Sequence, residues 1–131
     1  MEEALRFFSN VTKKRSIAFL ISDMLDEGYE KPLRIAKQRH DLVALLTHDI
    51  GEVDLPDLGM VPMRDFESGK TIWVDTSDKK VRSHYRKKRE LKWLQTTELL
   101  RKTGIDFTEI YTNRSYVQPL MQLFKMREAR R

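Results

Sequence analysis

The stretch Ser16-Ile17-Ala18-Phe19-Leu20-Ile21-Ser22-Asp23-Met24-Leu25 decides the fold. Ile17 to Ile21 are apolar without a break, and the run stops at Ser22-Asp23. A continuous run this short suits a strand buried on both faces, as in a parallel sheet covered by helices. Ligands in open α/β sheets bind beyond the carboxyl ends of the strands. The run therefore predicts a central strand, Ile17–Ser22, and places any chemistry near Asp23.

The neighbouring sequence extends this into a βαβ unit. Leu5, Phe8 and Val11 give Glu2–Lys13 a helical stripe, closed by Lys13-Lys14-Arg15. Asp26–Glu30 reads as a loop turning at Gly28, and Pro32 suits the first turn of a helix over Pro32–Arg39, with Leu33, Ile35 and Ala36 inward. Leu42–Leu46 is a second continuous apolar run and a second buried strand. Strand, helix and strand follow one another closely enough for a right-handed crossover.

Further along, Ile50–Gly59 is a loop, and Met60–Arg64 and Thr71–Asp75 form a hairpin around Phe66–Lys70, with Pro62 marking an edge. Thr76-Ser77-Asp78 caps a long helix, Lys79–Thr103, which stops at Gly104. Its apolar stripe is Val81, Tyr85, Leu91, Trp93, Leu94, Leu99 and Leu100. Ile105–Tyr111 is a third parallel strand. Ser115 caps a last helix, Tyr116–Arg130, with Val117, Leu120, Met121 and Phe124 on one face. The order predicts a single α/β domain over residues 1–131. It is a three-layer sandwich with a short, mostly parallel sheet and a β-hairpin. The first strand would then have an uncovered edge unless something pairs with it.

Composition narrows the class. The chain has 131 residues, 40% hydrophobic and 34% charged, enough for one real core. No apolar run approaches the roughly 20 residues of a membrane span, and Met1-Glu2-Glu3 does not begin a signal peptide. With no cysteine there is neither disulfide nor thiolate chemistry, and a cytoplasmic setting is expected. The net charge of +5 allows weak attraction to polyanions but is not the undivided field of a dedicated nucleic-acid binder.

Parallel strands would gather Ser22, Asp23, Asp26, Glu27, Thr47, His48, Asp49, Glu52, Thr112 and Asn113 at one rim. Such oxygen donors suit a hard cation such as Mg²⁺, although Asp and Asn at strand ends commonly just hold turns. His48 and Asp49 are adjacent on a strand end and point in different directions, so they are not a dyad by default, and His48 reads as an ordinary loop histidine. His40 and His84 have no metal-ligand spacing with it. No nucleophile elbow or glycine-rich phosphate loop is present. The dense basic run over residues 79–92 includes Arg82, Arg86, Lys87, Lys88 and Arg89. It has little aromatic content for base stacking, so a solvated helix face outweighs a nucleic-acid interface. Trp73 and Trp93 read as packing residues.

Several motifs stand in a fixed succession. They are Ile21-Ser22-Asp23-Met24-Leu25, His40-Asp41-Leu42-Val43, Asp49 and Glu52, and Leu55-Pro56 with Gly59. Asp65-Phe66-Glu67-Ser68-Gly69 and Val74-Asp75-Thr76 complete the set. From about Glu3 to Arg127 the chain resembles the C-terminal half of the bacterial von Willebrand factor A-like proteins in the domain-of-unknown-function family numbered fifty-eight, commonly linked with MoxR-type AAA+ ATPases. The resemblance implies half of a von Willebrand A (Rossmann-like) fold and an interaction module rather than an enzyme. It implies that Asp23 is one ligand of an adhesion-type cation site. The Asp-x-Ser-x-Ser element of that site occurs nowhere in this sequence. No cofactor is then expected in this chain, with Mg²⁺ bound only alongside the missing half. Partners would be a MoxR-type ATPase, a second copy, or an N-terminal half pairing with the exposed sheet edge. Two rival expectations are a small Mg²⁺-dependent hydrolase using Asp23, Asp49 and Glu52, and nucleic-acid binding through the basic helix.

Overall fold

The computed structural model describes residues 1–49, 51, 54–64 and 68–130. The elements are α1 (Glu2–Val11), β1 (Ile17–Ser22), α2 (Glu30–Arg39), β2 (Asp41–His48), β3 (Met60–Arg64), β4 (Thr71–Asp75), α3 (Lys79–Thr103), β5 (Asp106–Tyr111) and α4 (Val117–Glu128). The hairpin strands and the long helix have the bounds that the sequence predicts. The turn expected at Phe66–Lys70 lies partly outside the described residues, and Glu52 lies wholly outside them.

β1, β2 and β5 form one parallel sheet in the order β1-β2-β5, and β3 and β4 pair antiparallel as a separate hairpin. The central strand is therefore β2, not β1. Its burial explains why: Leu42 to Leu46 are all buried, with Val43 and Ala44 fully inaccessible. In register, Ala18 lies beside Leu42 and Leu20 beside Ala44, while Phe107 lies beside Ala44 on the other side. These residues form one face of the sheet. It packs under Leu5 of α1, Leu33 and Ala36 of α2 and Leu100 of α3, closed by Met24, Tyr29 and Ile105.

The opposite face carries Val43 and Leu45, with Ile110 on β5, and α4 covers it through Leu120 and Leu123. This gives the predicted three layers, two of helix around one of sheet. Arg127 anchors the far end of α4. Its guanidinium donates to Asp41 and, at 2.7 Å, to Asp106, while Arg130 donates to the other Asp106 oxygen at 2.7 Å.

Several expected core residues lie outside the core. Ile17, Phe19 and Ile21 are exposed, because α4 covers β2 and β5 and touches β1 only at its margin, through Phe124 against Phe19. A continuous apolar run does not separate an edge strand from a central one. On α3, Leu91 and Leu94 are exposed, while Thr96, Thr97 and Leu100 are buried. A 25-residue helix is about 37 Å long, against about 20 Å for the strands, so only its C-terminal part rests on the sheet. On α4 the buried residue is Leu123; Val117, Met121 and Phe124 are largely exposed. Ile35 is exposed on α2, which starts at Glu30 and places Pro32 within its first turn. Trp73 on the hairpin is exposed, whereas Trp93 packs against the core.

Caps follow local chemistry. Asp78 accepts from the Lys80 N–H at 2.8 Å, and Gly104 ends α3 at φ 67°, a left-handed position that suits glycine. α1 stops at Val11, so Lys13, Lys14 and Arg15 lie in the lead into β1 rather than on the helix. Tyr116 is the N-terminal boundary of α4, and the Ser115 hydroxyl accepts only a long 3.4 Å bond from Val117.

Candidate functional site

The carboxyl edge of the sheet is built by the ends of all three strands. At the end of β1 the Ser22 hydroxyl accepts from the Met24 N–H at 3.0 Å, and an Asp23 carboxylate oxygen accepts from the Leu25 N–H at 3.2 Å. Between them Met24 adopts φ 56° with its side chain 1% exposed. A left-handed methionine costs about 1–2 kcal/mol, which its buried side chain and the two turn bonds offset. At the end of β2, Asp49 accepts from the Gly51 N–H at 2.9 Å, and its second oxygen receives the Thr112 hydroxyl at 3.5 Å. The structure thus brings Asp49 and Thr112 together and commits Ser22 and Asp23 to their own turn. Asp26 pairs with the N-terminal ammonium of Met1. Among the described residues no group of three or more His, Asp or Glu side chains is placed to hold a metal ion.

Behind this rim lies an open cleft of about 310 Å³ between the sheet edge and α3. Its walls include Asp23, His48, Arg89, Trp93, Glu109 and Tyr111. The register places His48 beside Tyr111 and Leu46 beside Glu109, so His48, Glu109 and Tyr111 share one face. The His48 ring lies edge-on to Trp93 at 4.5 Å between centroids and beside Tyr111 at 5.0 Å. Tyr111 donates its hydroxyl proton to Glu109 at 2.8 Å, and His48 Nε2 is 3.8 Å from the same carboxylate oxygen. That hydrogen bond, then burial, pushes the Tyr111 hydroxyl above its usual range. His48 is therefore a buried strand residue and not an exposed loop histidine. The partnership was legible only through strand parity, which requires the β2–β5 register.

The basic helix spends several of its charges on its own fold. Arg82 donates to the carbonyls of Thr76 and Ser77 at 2.6 and 2.9 Å and lies 3.6 Å from Asp57. Arg86 pairs with Asp54 at 2.7 Å. Lys87 lies with Lys79, Lys80 and His84 around a shallow hollow near the start of α3. Lys88 and Arg89 also interact within the chain.

The outer edge of β1 is the other distinctive surface. Ile17, Phe19 and Ile21 are 58%, 48% and 64% exposed. They share a sheet face with Val43 and Leu45, which α4 covers. At the limit of that cover, Phe124 of α4 meets Phe19 edge-to-face at 6.3 Å. Beside it Met121 is exposed. The result is an apolar strip beside a strand that, among the described residues, is paired on one side only.

Among the described residues no helix is long and apolar enough to cross a membrane. No solved structure gives a significant match to this chain. Curated relatives do. The chain is 28% identical over 116 residues to the uncharacterized protein MAV169 of Mycobacterium avium, covering 88% of this chain and 68% of that one. It is 26% identical over 116 residues to the uncharacterized proteins Mb1516 of Mycobacterium bovis and Rv1480 of Mycobacterium tuberculosis, again covering 88% of this chain but 36% of each relative. The chain thus spans about two thirds of the first relative and about a third of the other two. The model of a protein family of unknown function, DUF58, matches residues 1–92, and the chain belongs to that family.

Proposed function

We propose that this chain is a non-catalytic protein-interaction module of von Willebrand A-like type, and that its contact surface is the outer edge of β1 with the adjoining apolar strip. The observation that carries this reading is the exposure of Ile17, Phe19 and Ile21 on a strand that, among the described residues, pairs on one side only. Contiguous apolar surface of this kind marks contact sites, and an open strand edge supplies backbone groups for strand addition. The resemblance to proteins linked with MoxR-type AAA+ ATPases suggests such an ATPase as the partner.

The cation site implied by the resemblance does not fit this chain alone. Asp23 contributes one carboxylate, already engaged in its turn, and among the described residues it belongs to no group of three or more His, Asp or Glu side chains placed to hold a metal ion. A hard cation needs several oxygen ligands. Titration calorimetry with Mg²⁺ should therefore show no appreciable heat of binding; micromolar affinity would overturn this part of the reading.

The partner is tested with the purified chain and the purified MoxR-type ATPase of the same genome. A complex should form with the wild type and be lost with Phe19→Asp, while circular dichroism shows the fold unchanged. Equal binding by Phe19→Asp would remove the β1 strip as the contact surface.

A further inference from the structure

We propose that the outer face of α3, from Lys80 to Leu94, docks an acidic amphipathic helix of another protein. This surface is separate from the β1 edge.

The basic run of α3 divides into two sets. Arg82 and Arg86 are spent within the chain, on the Thr76 and Ser77 carbonyls, Asp57 and Asp54. Lys88 and Arg89 also interact within it. Lys79, Lys80, His84 and Lys87 are exposed, and among the described residues no carboxylate pairs with them. They surround the hollow near the start of the helix.

Helical spacing joins these cations to two exposed leucines. Lys80, His84, Lys87, Leu91 and Leu94 follow one another at steps of four, three, four and three residues. That repeat keeps side chains on one seam of a helix. All five are exposed, Leu91 at 56% and Leu94 at 63%. On the other side of α3, Trp93, Thr96 and Leu100 turn to the core. The seam thus runs for about 21 Å along the side of the helix that faces away from the sheet. A strand paired beside β1 would extend the sheet and would not reach it.

A single exposed leucine or a row of solvated lysines is ordinary. Two leucines a turn apart, in register with unpaired cations, form a surface that gains when something covers it. Leu91 and Leu94 take apolar side chains, and Lys80, His84 and Lys87 take carboxylates over the next turns. A helix laid along α3 supplies both at the same spacing. Nucleic acid would use the lysines and leave the leucines wet. A bilayer needs a broader apolar face, and Glu90 stands exposed beside Leu91. A second copy meets its own charges. In parallel, Lys80 and Lys87 face their counterparts. In antiparallel, with Leu91 against Leu94, His84 meets Arg101, and the Glu98 that would face Lys87 is already held by Lys102 at 2.7 Å.

The test uses the full chain and a fluorescently labelled synthetic helix of about four turns. The peptide carries leucine at two consecutive seam positions and glutamate at the next three, and a shuffled peptide of the same composition is the control. Fluorescence anisotropy at low salt should show saturable binding of the ordered peptide and about tenfold weaker binding of the shuffled one. The double variants Lys80→Glu/Lys87→Glu and Leu91→Gln/Leu94→Gln, each with unchanged circular dichroism, should each weaken binding about tenfold or more. A peptide with lysine in place of its glutamates should bind Lys80→Glu/Lys87→Glu better than it binds the wild type. Absence of binding overturns the proposal, as does equal binding of ordered and shuffled peptides. Binding that survives the leucine substitutions overturns it too, leaving a general polyanion surface. A wild type that sediments as a dimer, and becomes monomeric with the leucine substitutions, overturns it in favour of a second copy.

Discussion

Phe19 of β1 and Phe124 of α4 meet edge-to-face, their ring centroids 6.3 Å apart, where the helical cover of the sheet ends. On one side of this contact α4 seals β2 and β5. On the other, β1 presents Ile17 and Ile21 to solvent.

This boundary separates two neighbouring residues energetically. Leu123 is 3% exposed between Val43 and Leu45, so Leu123→Ala should cost about 2–4 kcal/mol by the loss of apolar burial and the cavity left behind. Phe124 is 45% exposed, and Phe124→Ala should cost only about 1 kcal/mol, comparable with one aromatic contact. Urea denaturation of the two variants at concentrations where the chain is monomeric measures the difference. A Phe124 cost equal to that of Leu123 would mean that the outer strip is core.

Arg127 should hold α4 to the sheet more firmly than its position near the C-terminus suggests. Its side chain is 14% exposed and serves both Asp41 and Asp106. Arg127→Met leaves two partly buried carboxylates without their shared cation and should cost about 1–3 kcal/mol, allowing for partial solvent screening. Arg6→Met removes an exposed pair with Glu2 on α1 and should change stability by less than about 0.5 kcal/mol. Thermal denaturation of the two variants checks the ordering.

Alkaline pH should destabilise the fold. Burial raises the Tyr29 hydroxyl above the ordinary tyrosine range, and the bond to Glu109 raises that of Tyr111. A group whose proton is held more tightly in the folded state contributes stability that is complete below its unfolded pKa. That contribution is lost as pH climbs through the folded value. Stability should therefore fall as pH rises beyond 10. In ultraviolet titration Glu109→Gln should move one tyrosine transition downward, and an unmoved spectrum would contradict the Tyr111–Glu109 bond.

Elements were more legible in the sequence than their places in the sheet. Glycine and aspartate at the ends of Lys79–Thr103 fix that helix by local chemistry, and its predicted bounds match the observed ones. Local chemistry does not say which strand is central. Ile17–Ile21 and Leu42–Leu46 are equally apolar, but only the second lies between two strands. The site followed the same division. The turn roles of Ser22 and Asp23 are local, and the alternative that such residues simply hold turns was visible from their types. The grouping of His48, Trp93, Glu109 and Tyr111 depends on the β2–β5 register and on where α3 crosses the sheet, neither of which a single sequence states.

The central claim is that the outer edge of β1 binds a strand. Amide-resolved hydrogen exchange at Ile17, Phe19 and Ile21, followed as the ATPase is added, tests it most directly. The Ser16 carbonyl accepts from the Asp41 N–H, so Ala18 and Leu20 also address β2 and should be protected throughout. The amides of Ile17, Phe19 and Ile21 should exchange rapidly in the chain alone and become protected as the ATPase is added. Rapid exchange at all three, unchanged at saturating ATPase, would contradict the account.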